Sequence, residues 1–150
     1  MGESAGYAYL ATKDALKMAG IDESHLDSPK IGIVAGSGGA STRVMLESGD
    51  IAREKGPKRI GPYGVTKSMS SSISAIIATA LKLKGINYSI SSACATSAHC
   101  IGHAADLIKS GQQDVVIAGG SDDEHWSSSC LFDAMGAVSY THLTLPTKNE

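Results

Sequence analysis

The sequence predicts an α/β fold built on a mostly parallel sheet, and three observations carry that prediction. Two short β-branched runs, "KIGIVAG" over residues 30–36 and "DVVIAGG" starting at Asp114, end in glycine as buried parallel strands do. Between them, "NYSISSACATSAHCIGHAADLIKSG" passes from an alternating pattern into an alanine-rich helical one. A strand, a helix and a second strand on short connections imply a right-handed crossover, and hence parallel pairing.

The elements follow in order. "SAGYAYLATKDALKMAG" places Ala5, Ala8, Tyr9, Ala15, Leu16 and Ala19 on one helical face, with Ser4 as a candidate N-cap and Gly20 just past the end. Residues 30–36 form a buried strand that feeds the loop "SGGAS". A helix over 42–54 follows, weakened by Gly49. Glycine and proline concentrate in "KGPKRIGPYG", which reads as a loop. The next stretch, "SMSSSISAIIATALKLKG", reads as a helix whose serines and alanines permit close approach, in the core or at a subunit interface. A strand over 86–92, a helix over 95–110 ended by Gly111, and a strand over 114–118 complete the pattern.

Composition narrows the function classes. Of 150 residues, 42% are apolar and 19% charged, which is a globular balance, and no apolar run is long enough to cross a bilayer. The start has no basic region followed by an uninterrupted apolar stretch, so a cytoplasmic protein without a membrane partner is expected. Three cysteines, Cys94, Cys100 and Cys130, lack the spacing of a disulfide framework and fit a reducing compartment. The formal net charge of −2 offers no footprint for nucleic acid. Locally, "REKGPKR" sets Arg53, Lys55, Lys58 and Arg59 against Glu54.

Three constellations bear on chemistry. "GSGGAS" has G-x-G but places Ser41 where a dinucleotide fingerprint needs its third glycine, so a tight turn allowing close approach fits better than a nucleotide site. His99, Cys100 and His103 share a helical stretch, but the spacing of a closed metal site is missing, and no metal is expected. Cys94 falls where a strand ends and a helix begins. Free N–H groups and the positive end of the helix dipole there favour the reactive thiolate, and the same groups can hold an oxyanion. A small buried cysteine is the competing reading. Cys100 and Cys130 lack this setting and read as structural.

The segment "SSACATSAHCIGHAADLIKSGQQDVVIAGG" resembles the nucleophile region of the β-ketoacyl-acyl-carrier-protein synthases, condensing enzymes of the thiolase fold. "IVAGSGG", "GPYGVTKSMSSSISA" and "FDAMGAVS" fit the same family in the same order. The serine after "CAT", with "AHCIG" and "FDAMG", is closer to the type I enzymes than to type II.

The resemblance implies fatty-acid biosynthesis by decarboxylative Claisen condensation. Cys94 takes an acyl chain as a thioester, its backbone N–H contributes to an oxyanion hole, and a malonyl-carrier thioester supplies the attacking carbanion. It also implies an acyl pocket containing Gly38, Met69, Leu131 and Phe132, with Leu131 standing where a type I enzyme is expected to have glutamate. Acyl carrier protein is the implied partner, docking on Lys55, Lys58 and Arg59. No cofactor is implied beyond the phosphopantetheine arm that delivers the acyl group, and the full-length enzyme is expected to be a homodimer.

The family's two histidines and lysine for decarboxylation have no match, since none of His25, His99, His103, His125 or His142 sits in such a motif. Residues 1–139 are therefore expected to be most of an N-terminal thiolase-like half lacking its first strand, unable to form a condensation product alone. "YTHLTLPTKNE", residues 140–150, fits nothing expected after "FDAMGAVS" and reads as a non-native or out-of-frame tail. Two other readings stay open: a thiolase-like acyltransferase using coenzyme A thioesters, and a non-catalytic subunit that measures chain length or supports a dimer.

Overall fold

The computed structural model describes residues 1–138, so Ser139 and the stretch 140–150 lie outside the described residues. The elements are α1 (Glu3–Met18), β1 (Ile31–Gly36), α2 (Thr42–Lys55), α3 (Gly64–Ser68), α4 (Ser72–Ala80), β2 (Asn87–Tyr88), α5 (Thr96–Lys109), β3 (Val115–Gly120) and α6 (Trp126–Ala134). Short 3-10 turns occupy Glu23–His25 and Pro57–Arg59.

The three strands form one parallel sheet in the order β2-β1-β3, as the crossover pattern predicts. β1 is its buried centre. Alternation along this strand sends Ile33 and Ala35 to one face and Val34 to the other, which builds two cores. On the first face, Ile33 and Ala35 pack with Leu16 of α1, Leu26, and Ile73, Ile77 and Ala78 of α4. On the second, Val34 packs with Cys100 and Leu107 of α5. Helices thus cover both faces of β1. The sheet's starting ends are tied together by buried Gln113, whose Oε1 accepts from the Ile86 N–H (3.3 Å) and whose Nε2 donates to Pro29 O (3.2 Å).

Several boundaries differ from expectation, each for a local reason. The strand expected over 86–92 pairs only at Asn87 and Tyr88, because beyond them serine hydroxyls take over from the ladder. Ser89 Oγ donates to Ala35 O (2.5 Å) and Ser91 Oγ to Ser37 O (2.9 Å). The helix expected from Ser68 starts later: α3 ends at Ser68 and α4 begins at Ser72, where Ser72 Oγ donates to Met69 O (2.7 Å). α3 lies mostly on residues 65–67, between the expected loop and the expected helix, to which no element is assigned from sequence.

α1 begins one residue before the expected cap. Ser4 is a buried helical residue and Gly2 holds the N-cap position without a side-chain bond. Thr12 is buried on α1 because its hydroxyl is satisfied by Ala8 O (2.8 Å). Ala15 and Ala19, expected to pack, instead line an open apolar groove of about 530 Å³ between α1 and β3. Both expected helix-ending glycines adopt left-handed backbone, Gly20 at φ +68° and Gly111 at φ +70°. α6 lies in residues 121–138, where the sequence pattern predicts no element.

Among the described residues, no helix is long and apolar enough to cross a membrane.

Candidate active site

The chain reverses tightly between the Ser89–Ser91 hydroxyl bonds and α5. Ala93 sits in left-handed backbone (φ +48°), a conformation that costs a non-glycine residue about 1 kcal/mol or more and persists only when its surroundings enforce it. Here they do: the Ala95 N–H donates to Ser92 O (3.0 Å), the Thr96 N–H to Ala93 O (3.1 Å), and the Ser92 N–H to the hydroxyl of buried Thr96 (2.8 Å).

Cys94 is at the tip of this turn and is exposed, so the small-core-residue reading of this thiol does not hold. It also lies slightly earlier than expected. α5 starts at Thr96 with Ala95 as N-cap, so Cys94 immediately precedes the cap instead of lying in the first turn, because the chain makes its bend at Ala93 before helical geometry begins. It remains at the positive end of a 14-residue helix.

The β1 exit loop closes onto the turn. A Cβ at Gly38 would lie 2.9 Å from Ala93 O, closer than side-chain carbons approach, so only glycine lets this backbone rest against the residue before Cys94. Two further bonds of the loop run to the segment around Met69: Ser37 N–H donates to Ser70 O (3.2 Å) and Ser41 N–H to Ser68 O (2.8 Å). Gly38 and Met69, two expected pocket residues, are therefore joined through one loop beside Cys94.

The other two, Leu131 and Phe132, are exposed on α6, which packs on α2. One tie between α6 and the loop runs through α2. Its N-cap is Ser41, whose hydroxyl accepts from the Val44 N–H (3.2 Å), and Ser127 Oγ of α6 donates to Thr42 Oγ1 (3.0 Å). Ser41, the residue that spoils the dinucleotide fingerprint, thus serves as a helix cap.

The loop after β3 supplies contacts that sequence reasoning missed. Asp122 Oδ1 accepts from the Ser37 hydroxyl and from the Gly38 N–H (3.0 Å), and Asp123 accepts from the Ser41 hydroxyl. Arg43 Nη2 donates to Glu124 O (2.8 Å) and pairs with Glu3 (3.0 Å), whose carboxylate also accepts from Tyr7 (3.0 Å) and so holds that phenol above its usual range. Adjacent acidic residues after "AGG" were the available signal, but nothing local indicates where they reach.

Cys100 is fully buried beside Val34 and Leu107, consistent with a packing role. Cys130 is exposed on α6, a helix with no buried residue, so the structural reading of that thiol is corrected. His99 is exposed and His103 meets the Tyr88 hydroxyl, while among the described residues no three potential ligands converge to hold a metal.

The basic residues form a separate surface. Lys55 ends α2, and Lys58 and Arg59 occupy the adjoining 3-10 turn; all three are exposed and have no ion pair among the described residues. Arg53 is different, paired with Asp50 (2.5 Å).

Comparisons with known proteins converge on one family. The family model described as "Beta-ketoacyl synthase, N-terminal domain" matches residues 1–147. The chain is 50% identical over 149 residues to the 3-oxoacyl-[acyl-carrier-protein] synthase 1 of Haemophilus influenzae, covering 99% of this chain and 37% of that protein. It therefore spans little more than a third of the length of this relative. Among solved structures it is similar to a β-ketoacyl synthase from Burkholderia phymatum (TM-score 0.82, 25% identity, 94% of this chain and 35% of that one). A type II polyketide ketosynthase in complex with its acyl carrier protein shares the fold (TM-score 0.74, 22% identity, 90% of this chain and 38% of that one).

Proposed function

The chain belongs to the β-ketoacyl synthase family, and from that premise we propose that it carries the acyl-accepting cysteine of a 3-oxoacyl-[acyl-carrier-protein] synthase of fatty-acid biosynthesis. The observation that carries the reading is the exposed thiol of Cys94 on an enforced left-handed turn, inside the matched family segment.

The chemistry follows from that placement. The Cys94 thiolate attacks the carbonyl carbon of an acyl thioester, the new carbon–sulfur bond forms, and the oxyanion collapses to expel the carrier's thiolate. The Cys94 N–H is the proposed contributor to the oxyanion hole from this chain. A malonyl thioester then loses carbon dioxide, its freed electron pair attacks the acyl-cysteine carbonyl, a carbon–carbon bond forms and the Cys94 thiolate departs. The groups that drive decarboxylation are not assigned to any of the described residues.

Gly38 and Met69 line the near side of the acyl pocket in this reading, and Leu131 and Phe132 the far side. Lys55, Lys58 and Arg59 are free to meet an acidic carrier protein, and the ketosynthase solved with its acyl carrier protein makes such a partner reasonable for this fold. The acyl group arrives on the carrier's phosphopantetheine arm, no other cofactor is invoked, and a cytoplasmic homodimer is the proposed setting.

The test is a chimera in which this chain replaces the matching third of the Haemophilus influenzae relative. Formation of a 3-oxoacyl product that disappears with Cys94→Ala is the expected result. A soluble, folded chimera whose product formation survives that substitution would overturn the assignment.

A further inference from the structure

The turn that presents Cys94 rests on a backbone that is itself held from elsewhere. Gly38 lies against Ala93, and the same peptide region accepts from Ser91 Oγ through Ser37 O (2.9 Å). Further support comes from Asp122, 84 residues along the chain from Gly38, whose single oxygen Oδ1 receives both the Gly38 N–H (3.0 Å) and the hydroxyl of buried Ser37. Ser37 Oγ in turn accepts from the Gly39 N–H (3.3 Å), so one carboxylate oxygen organises three consecutive residues of the loop. A charged acceptor of two donors is the strongest fixing element in this loop.

We propose that Asp122 is a positioning residue that sets the shape of the acyl pocket floor, and through it the preference for acyl length. It touches no substrate atom; it acts through Gly38, and the inference rests on the acyl-accepting reading of Cys94. If the bond were lost, the peptide of Gly38 would be free to move against the Cys94 turn. A long acyl chain that must pass Gly38 would feel that displacement, whereas an acetyl group, which ends near Cys94, would not.

The test compares Asp122→Asn, which keeps an Oδ1 acceptor for both donors, with Asp122→Leu, which keeps the shape but accepts nothing. Transfer of acetyl and dodecanoyl groups from their carrier-protein thioesters to Cys94 is followed by intact mass. Asp122→Leu is expected to slow dodecanoyl transfer about fivefold more than acetyl transfer, and Asp122→Asn to restore the ratio to within about twofold. Equal losses for both chain lengths, or a ratio unchanged in Asp122→Leu, would overturn the proposal. A wild-type protein that accepts neither acyl group would instead sink the reading of Cys94. The positioning claim would then be decided by amide exchange at Gly38: faster in Asp122→Leu but not in Asp122→Asn upholds it, and equal exchange in all three contradicts it.

Discussion

The loop at residues 37–41 and the basic segment at residues 55–59 use polarity in opposite ways. In the first, nearly every polar group is committed: Ser37, Gly38 and Ser41 are bonded to Asp122, Asp123, Ser68, Ser70 and Ser91, and backbone presses on backbone at Ala93. In the second, the cations of Lys55, Lys58 and Arg59 are exposed and without ion pairs among the described residues. A region that must hold a reacting atom in place spends its polar groups internally. One that attracts a partner at a distance leaves its charges free. The two should therefore fail differently when altered.

The largest effect is expected at the committed loop's target. Cys94→Ser should lower acyl transfer by about a thousandfold or more, since the hydroxyl lacks the thiolate's nucleophilicity, without a comparable change in unfolding free energy because the side chain is exposed. Stopped-time mass measurements and urea titration read the two quantities separately.

Gly38→Val comes next. Its Cβ would be forced against Ala93 O, and the strain is expected to cost about 1–3 kcal/mol in a urea titration together with about a tenfold loss of transfer. A variant that keeps both would show that the close approach is not needed.

The basic segment should respond in kinetics and salt dependence instead. Replacing Lys55, Lys58 and Arg59 together by glutamate is expected to lower kcat/KM with a carrier-protein thioester about tenfold at low ionic strength. The difference should shrink with added salt and vanish for a small neutral thioester. Loss of activity with the small thioester as well would assign these residues a structural role.

Smallest is Ser41→Ala, which removes both the α2 cap and a partner of Asp123. A loss of about 1 kcal/mol is expected on thermal unfolding, with little effect on carrier affinity.

What the sequence disclosed follows the same division. Period and punctuation located β1, β3, α5 and both left-handed glycines, because those signals are local. The strand expected at 86–92 is shorter because the alternating serines look like a half-exposed strand yet spend their hydroxyls on carbonyls of β1 and of the residue after it. α6 was missed because Ser127–Ser129 are poor helix formers and its cap is His125, which accepts from the Ser127 N–H (3.4 Å) and lies outside the usual capping residues. The strand-to-helix junction that holds Cys94 was legible from the local pattern. Asp122 was not, since its meaning depends on residues 84 and 85 positions away, brought close only by the pairing of β1 with β3.

The central claim is that the enforced turn makes Cys94 the acyl acceptor, and the most direct measurement is the mass of the chain after incubation with an acyl-loaded carrier protein. The account predicts an increase of one acyl group, located by peptide mapping to Cys94, reversed by hydroxylamine and absent in Cys94→Ala. An unmodified folded chain, or an acyl group carried on Cys130 with Cys94 free, would contradict it.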